Sequence, residues 1–223
     1  MNLNIIVGAR NKADTENGPI QFSSGSGMTP EVMAIVMLLA GPDGDPVKTF
    51  EEKIVWVKGM KGSERRLAFI RGDLNATREN PAAYKKHVVP MIEKGDAYTW
   101  FHHGLLNVST GAHDIDPNFT QPTFEALYES MHGVAPSGNF YDAYKLVKSW
   151  RDALQKAFWV NAGNPNKDKL VDALNKMIQD PESVAAIEKK VGKYEWRTGA
   201  EGDAAVETLK AFITPGSLQT LVD

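Results

Sequence analysis

The sequence predicts an α/β protein whose first half alternates strands with helices and whose second half is almost entirely helical. Short runs rich in β-branched and aromatic residues predict the strands, at residues 3–7, 20–23, 54–57, 74–77 and 98–101. Helical runs lie between most of them, at residues 30–39, 64–71 and 81–93. Because strands that alternate with helices form βαβ units, this half is predicted to hold a largely parallel sheet.

The second half carries apolar side chains at helical spacing. The segment 140–159 repeats them every three or four residues, and similar stripes follow over residues 170–178 and 184–191. Such stripes need a sheet or other helices to cover them, and only residues 157–160 and 194–197 are strand candidates here. These helices are therefore predicted either to form a small bundle or to cover a sheet supplied from elsewhere.

The predicted domains are an α/β unit over residues 1–106 and a mainly helical unit over residues 107–223. The polar, Gly- and Pro-containing segment 107–123 is the expected crossing between them. Four helix starts share a capping residue followed by proline, at Thr29-Pro30, Asn80-Pro81, Asn164-Pro165 and Asp180-Pro181. There the side-chain oxygen accepts a backbone N–H, and the missing donor of proline costs nothing. Gly41, Gly95 and Gly192 are predicted to end helices.

Composition excludes several classes of protein. The net charge of −3 argues against a dedicated nucleic-acid binder, and the lack of cysteine excludes disulfides and thiol catalysis. The best apolar run, residues 32–40, is far shorter than the roughly 20 residues that span a bilayer. The first residues lack the basic and apolar regions of a signal peptide, so no export signal is expected in this chain.

The sharpest local signal is a Gly- and Ser-rich turn between a predicted strand and a predicted helix. Its residues are Ser23, Ser24, Gly25, Ser26, Gly27, Met28 and Thr29. Such a turn directs several backbone N–H groups and hydroxyls at one point, where the helix dipole also favours negative charge. The residues suit a carboxylate or phosphate, at the sheet edge where α/β proteins bind ligands. An ordinary turn whose polar groups only satisfy helix caps is an equal alternative.

Two further strand ends are expected at the same sheet edge. Their candidate ligand-binding residues are Lys58, Gly59, Thr77, Arg78 and Asn80. Arg78 could hold a carboxylate through two hydrogen bonds, although an exposed arginine paired with Glu79 is the commoner arrangement.

Catalytic and metal sites are not predicted. His102 and His103 are adjacent, so on a strand they face opposite sides and do not easily share one ion. The segment 113–116 holds histidine and aspartate in a loop, without a second ligand pair at helical spacing. No nucleophile elbow occurs, and the paired carboxylates Glu51 and Glu52 lie in a charged, solvated cluster. We expect no enzyme, no catalytic residue, no metal and no cofactor.

The succession of motifs resembles the extracytoplasmic solute receptors of tripartite tricarboxylate transporters. The resemblance covers nearly the whole chain in collinear order. The segments that carry it are residues 22–30, 55–59, 64–76, 81–84, 92–95, 122–127, 158–165 and 170–181.

That resemblance implies a type 2 periplasmic-binding-protein-like fold, with one parallel-sheet lobe and a helical partial second lobe that close around a ligand. It implies that the chain captures a small organic carboxylate and presents it to membrane transporter subunits in the periplasm. The turn at residues 23–29 would cradle the carboxylate, with the two neighbouring strand ends beside it. It also implies that the amino-terminal part of such a receptor is missing, so that the chain is part of a larger gene product, is completed by a second chain, or has been repurposed. The alternative is a receptor-derived assembly subunit that pairs with a partner chain and binds no small ligand.

Overall fold

The computed structural model of the chain describes residues 6–9, 19–24, 28–107, 110, 112–117, 119–154, 157–191 and 196–222. The strands are β1 (Ile6–Ala9), β2 (Ile20–Ser24), β3 (Ile54–Lys58), β4 (Ala76–Glu79), β5 (Tyr98–His102), β6 (Leu105–Leu106) and β7 (His113–Asp114). The helices before β5 are α1 (Pro30–Ala40), α2 (Pro46–Lys53), α3 (Gly62–Arg71), α4 (Pro81–Ala83) and α5 (Val89–Glu93). The later helices are α6 (Phe124–His132), α7 (Asn139–Leu154), α8 (Lys167–Gln179), α9 (Pro181–Val191), α10 (Gly199–Lys210) and α11 (Pro215–Val222).

The strands of the first half form two small sheets that lie side by side. β2 and β3 are parallel, with Ser24 opposite Lys58, whereas β1 lies between β4 and β5 and runs antiparallel to both. The side chain of Asn75 joins the two sheets. Its Oδ1 accepts from the backbone N–H of Gln21 at 2.7 Å, and its Nδ2 donates to the carbonyl of Pro19 at 2.9 Å.

The prediction of a largely parallel sheet is therefore correct for the β2–β3 pair and wrong for β1, β4 and β5, which form a separate sheet with antiparallel pairings. Alternation of strands and helices indicates a parallel order only for strands that follow one another through helical crossovers. β1 precedes the first crossover, so the alternation carries no information on its direction. β4 also begins two residues later than predicted, because Asn75 serves as the bridge to β2.

The main hydrophobic core surrounds α1. This helix buries nearly all of its side chains, as expected for a helix that is apolar on every face. Phe22 from β2, Phe101 from β5, and Phe124 and Tyr144 from α6 and α7 pack in the same cluster. The core thus joins residues from both sides of position 106, and the domain division there stays a prediction.

The helix predicted over residues 81–93 is present but irregular. It consists of α4, a π-helical turn over Tyr84–Val88, and α5. Pro90 lies just beyond the π turn. Proline lacks the N–H of a regular helix and its ring clashes with the carbonyl four residues earlier, so the wider turn accommodates it.

The end of the long helix in the second half was predicted wrongly. α7 ends at Leu154, not at residue 159, and residues 157–160 are exposed and form no strand. Phe158 and Trp159 are 77% and 70% exposed, so their apolar rings lack cover among the described residues. Of the other strand candidate, residues 194–197, the first two lie outside the described residues and the last two are not in a strand.

The predicted caps have different outcomes. Asn80 accepts from the N–H of Ala83 at 2.9 Å, and Asp180 accepts from that of Ser183 at 3.0 Å, so both cap as predicted. Thr29 makes no side-chain cap hydrogen bond, and Asn164 lies too early because α8 begins at Lys167.

The predicted helix ends at Gly41 and Gly95 are confirmed. Both glycines follow helices with positive φ angles, of 69° and 77°. Gly192 lies outside the described residues. Over the described part of the chain, none of the helices combines the length and the apolar character that a membrane crossing requires.

Candidate functional site

The predicted turn after β2 is described at its two ends. Ser23 and Ser24 are fully buried at the end of β2. The Ser24 hydroxyl accepts from the indole Nε1 of Trp56 at 2.7 Å, whereas that of Ser23 has no hydrogen-bond partner among the described residues. Met28 packs against the main core, and Thr29 immediately precedes α1. Gly25, Ser26 and Gly27 lie outside the described residues.

The end of β3 lies beside this turn through the parallel pairing of Ser24 with Lys58. Lys58 is exposed, and its Nζ lies 5.1 Å from the centroid of the Trp56 ring, within range of a cation–π contact. Gly59 adopts a φ of 86°, which side chains other than glycine rarely adopt, and no atom would touch a Cβ built there. The backbone at Gly59 is therefore open to a ligand.

The third predicted strand end, at Thr77, Arg78 and Asn80, was expected at the same sheet edge. This is wrong, because β4 lies in the other sheet and holds Thr77 and Arg78 within the strand. Thr77 is buried, and its hydroxyl has no hydrogen-bond partner within the described ranges. Arg78 lies with its Nε 3.7 Å from a carboxylate oxygen of Glu31 at the start of α1. Asn80 is exposed, and its side-chain oxygen already serves as a helix cap. The Glu31–Arg78 ion pair thus joins the first turn of α1 to β4, whereas Asn80 serves as a helix cap.

The residue that pairs with Arg78 was not predicted. Glu31 is fully buried and forms ion pairs with Arg78 and with Arg151 of α7, whose Nη1 donates to Oε1. We call these residues the Glu31 triad. Burial alone would raise the pKa of Glu31, but the two arginines outweigh it and hold that pKa well below its ordinary value. The triad connects the candidate site to the second half of the chain.

A second buried polar group lies along α7. Tyr144, Lys148 and Asp152 follow at intervals of four residues and form one row, and Lys148 donates to Asp152 within it. The Nε2 of His113 lies 4.0 Å from Asp152, and the Nδ1 of His103 is 2.8 Å from the Tyr144 hydroxyl.

Burial governs the titration of this group. It lowers the pKa of His103 well below the ordinary value, and that of His113 to about 2, and the nearby Lys148 acts in the same direction. Both imidazoles are therefore neutral at physiological pH. Burial also lowers the pKa of Lys148 and raises that of Asp152, so it works against the ion pair that their contact favours.

The chemistry that this arrangement offers is hydrogen-bond donation and positive charge. Ser23, Thr77, Arg78 and Arg151 all carry donor atoms that find no acceptor among the described residues. The part of the chain that the structure describes contains no group of three or more histidine, aspartate or glutamate side chains placed to hold a metal ion. A cavity of about 200 Å³ lies at the other end of α1, between Met37, Tyr128 and Phe140, and so does not coincide with the predicted site.

The sequence did contain signals for the missed residues. Lys148 and Asp152 continue the row that begins at Tyr144, on the face of α7 that otherwise carries apolar side chains. Charged residues on such a face are rarely buried unless they are paired. Glu31 follows a proline at a helix start, where acidic residues are common for a local reason, and nothing in the sequence distinguishes its long-range role.

The described part of the chain is a mainly helical α/β structure with small sheets. The solved structure of the periplasmic binding protein BugD is similar to it, with a TM-score of 0.51 and 12% sequence identity. The match covers 98% of this chain, which spans 65% of the BugD chain. No protein-family model and no curated protein match the sequence. At this identity the likeness shows the fold alone.

Proposed function

We propose that this chain is a solute-binding protein that captures a small organic carboxylate in the periplasm and presents it to a tripartite tricarboxylate-type transporter. The likeness to a periplasmic binding protein supports a binding role without catalysis. The motif succession in the sequence supports the transporter type. In this proposal residues 1–106 form the ligand-binding lobe, residues 107–223 belong to the other lobe, and the two close over the ligand.

The observation that carries the proposal is a set of buried donors without acceptors. The hydroxyls of Ser23, near the end of β2, and Thr77, near the start of β4, are both buried and have no hydrogen-bond partner among the described residues. An unsatisfied buried polar group costs about 1–3 kcal/mol, so its presence calls for an explanation. A carboxylate accepts up to four hydrogen bonds and would satisfy such donors. The amides of the turn at residues 23–29, with Lys58 and Gly59, would complete its surroundings.

The test is native mass spectrometry of the chain purified without refolding, with two serine variants. Ser23→Ala removes the hydroxyl and leaves the bond between Trp56 and Ser24 intact. Ser149→Ala is the matched control, because Ser149 is also fully buried with no hydroxyl partner and lies outside the predicted site. We expect a small acid that is retained by the wild type and the control and lost from Ser23→Ala, with no loss of stability in either variant. Equal retention by both variants would contradict the proposed site.

A second candidate function is an assembly subunit that pairs with another chain and binds no small ligand. The exposure of Phe158 and Trp159, together with that of Leu170 at 46%, favours it, because large exposed apolar side chains that cluster often mark protein contacts. The same measurement separates the two functions. A stoichiometric complex with a second polypeptide, without any acid, would favour assembly.

A further inference from the structure

The Glu31 triad places a protein carboxylate between two arginines at the proposed carboxylate site. Glu31 extends from the first turn of α1, Arg78 from β4 and Arg151 from α7. Glu31 is fully buried, whereas the side chains of Arg78 and Arg151 are 23% and 17% exposed. Parts of both arginine side chains therefore reach the surface, whereas the Nε of Arg78, the Nε and Nη2 of Arg151 and the carboxylate of Glu31 are buried.

Glu31 does not accept hydrogen bonds from all of the guanidinium N–H groups of the two arginines. The Nε of Arg78 and the Nε and Nη2 of Arg151 have no hydrogen-bond acceptor among the described residues. The nearest further acid is Asp152, with an oxygen 3.7 Å from the Nε of Arg151, and it is already in contact with Lys148. Arginine binds carboxylates best through two parallel hydrogen bonds, and neither arginine has such an arrangement here.

The charges around the triad do not balance. Two guanidinium groups face one carboxylate, and Lys148 with Asp152 adds an ion pair without net charge. Arg65 lies next to them and donates to the backbone carbonyl of Arg78 at 3.3 Å. Glu79, also on β4, is paired with Arg66, so it leaves the unpartnered donors of Arg78 and Arg151 available to a second carboxylate.

We propose that Glu31 is an internal carboxylate that occupies the Arg78–Arg151 pair in the unliganded chain and that the carboxylate of the ligand displaces it. This inference rests on the proposed function and adds Arg78 and Arg151 as the residues for which the two carboxylates compete. A tethered carboxylate acts as a competitor at a high effective concentration, so it weakens binding of every ligand that uses the same pair. Glu31 thereby sets the affinity of the site.

The test is chemical rescue by acetate. Glu31→Ala removes a CH₂ and a carboxylate group, which are together close to an acetate ion in size and charge. Thermal unfolding midpoints are measured for the wild type and the variant across a series of sodium acetate concentrations, with sodium chloride at equal ionic strength as the reference. We expect acetate to raise the midpoint of Glu31→Ala more than that of the wild type, with an apparent Kd at least about tenfold lower.

The double variant Glu31→Ala/Arg151→Gln is the specificity control. It lacks one of the two arginines, so the additional response to acetate should disappear. Equal responses of the wild type and Glu31→Ala, or a response that survives in the double variant, would overturn the inference. If Glu31→Ala does not fold, Glu31→Asp replaces it. Its shorter carboxylate holds the two arginines less well, so a smaller gain in the same direction is expected, and no gain contradicts the inference.

These outcomes separate the inference from the proposed function. If the wild type carries an acid and Glu31→Ala binds acetate no better, the inference fails and the proposed function stands. If no acid is carried by the wild type but acetate rescues Glu31→Ala, the arginine pair is a carboxylate site and the proposed function fails. If neither result is seen, both are wrong.

Discussion

The helices α7 and α8 have the same kind of sequence and reach very different degrees of burial. Both carry an apolar stripe at helical spacing beside charged residues. α7 buries Ala143 and Tyr144 completely in the main core, against α1 and the aromatic side chains of β5 and α6. α8 has no fully buried residue, and Leu170 on it is nearly half exposed.

The difference shows that an amphipathic pattern predicts that one face of a helix is to be buried, but not which segment of the chain buries it. α8 packs against α9, whereas the exposed segment 157–160 precedes it with two large aromatic rings facing solvent. The helices of the second half were predicted either to form a bundle or to cover a sheet from elsewhere. α7 joins the core around α1, whereas α8 packs against α9 and contacts the start of α10 through Asn175 and Val171, without fully burying any of its side chains.

The largest expected change in the free energy of unfolding is at a buried phenylalanine, which we compare with an exposed one. Phe124 contacts the rings of Phe101 and Tyr144 in the main core, so Phe124→Ala should lower the free energy of unfolding by about 3–5 kcal/mol. Phe158→Ala, in the exposed segment, should change it by less than about 0.5 kcal/mol. Urea denaturation of both variants measures the two values. A loss above 2 kcal/mol for Phe158→Ala would mean that its ring is covered in solution.

Acid should destabilise the chain through Glu31. Its pKa in the folded chain lies well below the ordinary value of about 4.3, since the two arginines outweigh burial. Such a carboxyl stabilises the fold above its unfolded-state pKa, and the contribution is lost as the pH falls through the folded-state pKa. We expect a loss on the order of 2 kcal/mol between about pH 5 and pH 2. Glu31→Gln should remove this part of the pH dependence, and an unchanged slope in the variant would assign it to other groups.

The smallest expected changes in stability are at two asparagines that were both predicted to cap helices. Asn80→Ala removes a cap hydrogen bond to Ala83 and should cost about 1 kcal/mol. Asn164→Ala removes only a turn hydrogen bond to Asn166 ahead of α8, and should cost a few tenths of a kcal/mol. Thermal unfolding midpoints in a single buffer compare them. A larger cost at Asn164 would show that the start of α8 contributes more stability than its exposure indicates.

Much of the fold could be predicted from local sequence patterns. The strands β2, β3 and β5 and the helices α1 and α3 lie within one or two residues of their expected positions, because their hydrophobic periods and flanking Gly and Pro residues are local features. α2 was not predicted, although Asp45 caps it at 2.8 Å through the N–H of Val47 and Pro46 follows in the preferred position. Its side chains are largely exposed, so it lacks the apolar stripe that identifies a helix in a sequence.

The candidate site could be predicted only in part. The residues at the ends of β2 and β3 follow from the rule that ligands bind at the carboxyl ends of parallel strands, whereas β4 is antiparallel to β1 and lies outside that rule. Arg151 lies 120 positions from Glu31, and no local rule connects two residues at that separation. Glu31 and Arg151 therefore became partners only when α7 packed against α1.

By itself, the sequence determined the elements that depend on neighbouring residues: most of the strand and helix types, two helix caps and two glycine helix ends. Tertiary structure alone decided the reversed direction of β1, the Glu31 triad, and which apolar stripe is buried. The physical reason is the separation along the chain over which each interaction acts. Backbone preference and capping act over a few residues, whereas burial and ion pairing in a core depend on segments that are distant in the chain and meet only on folding.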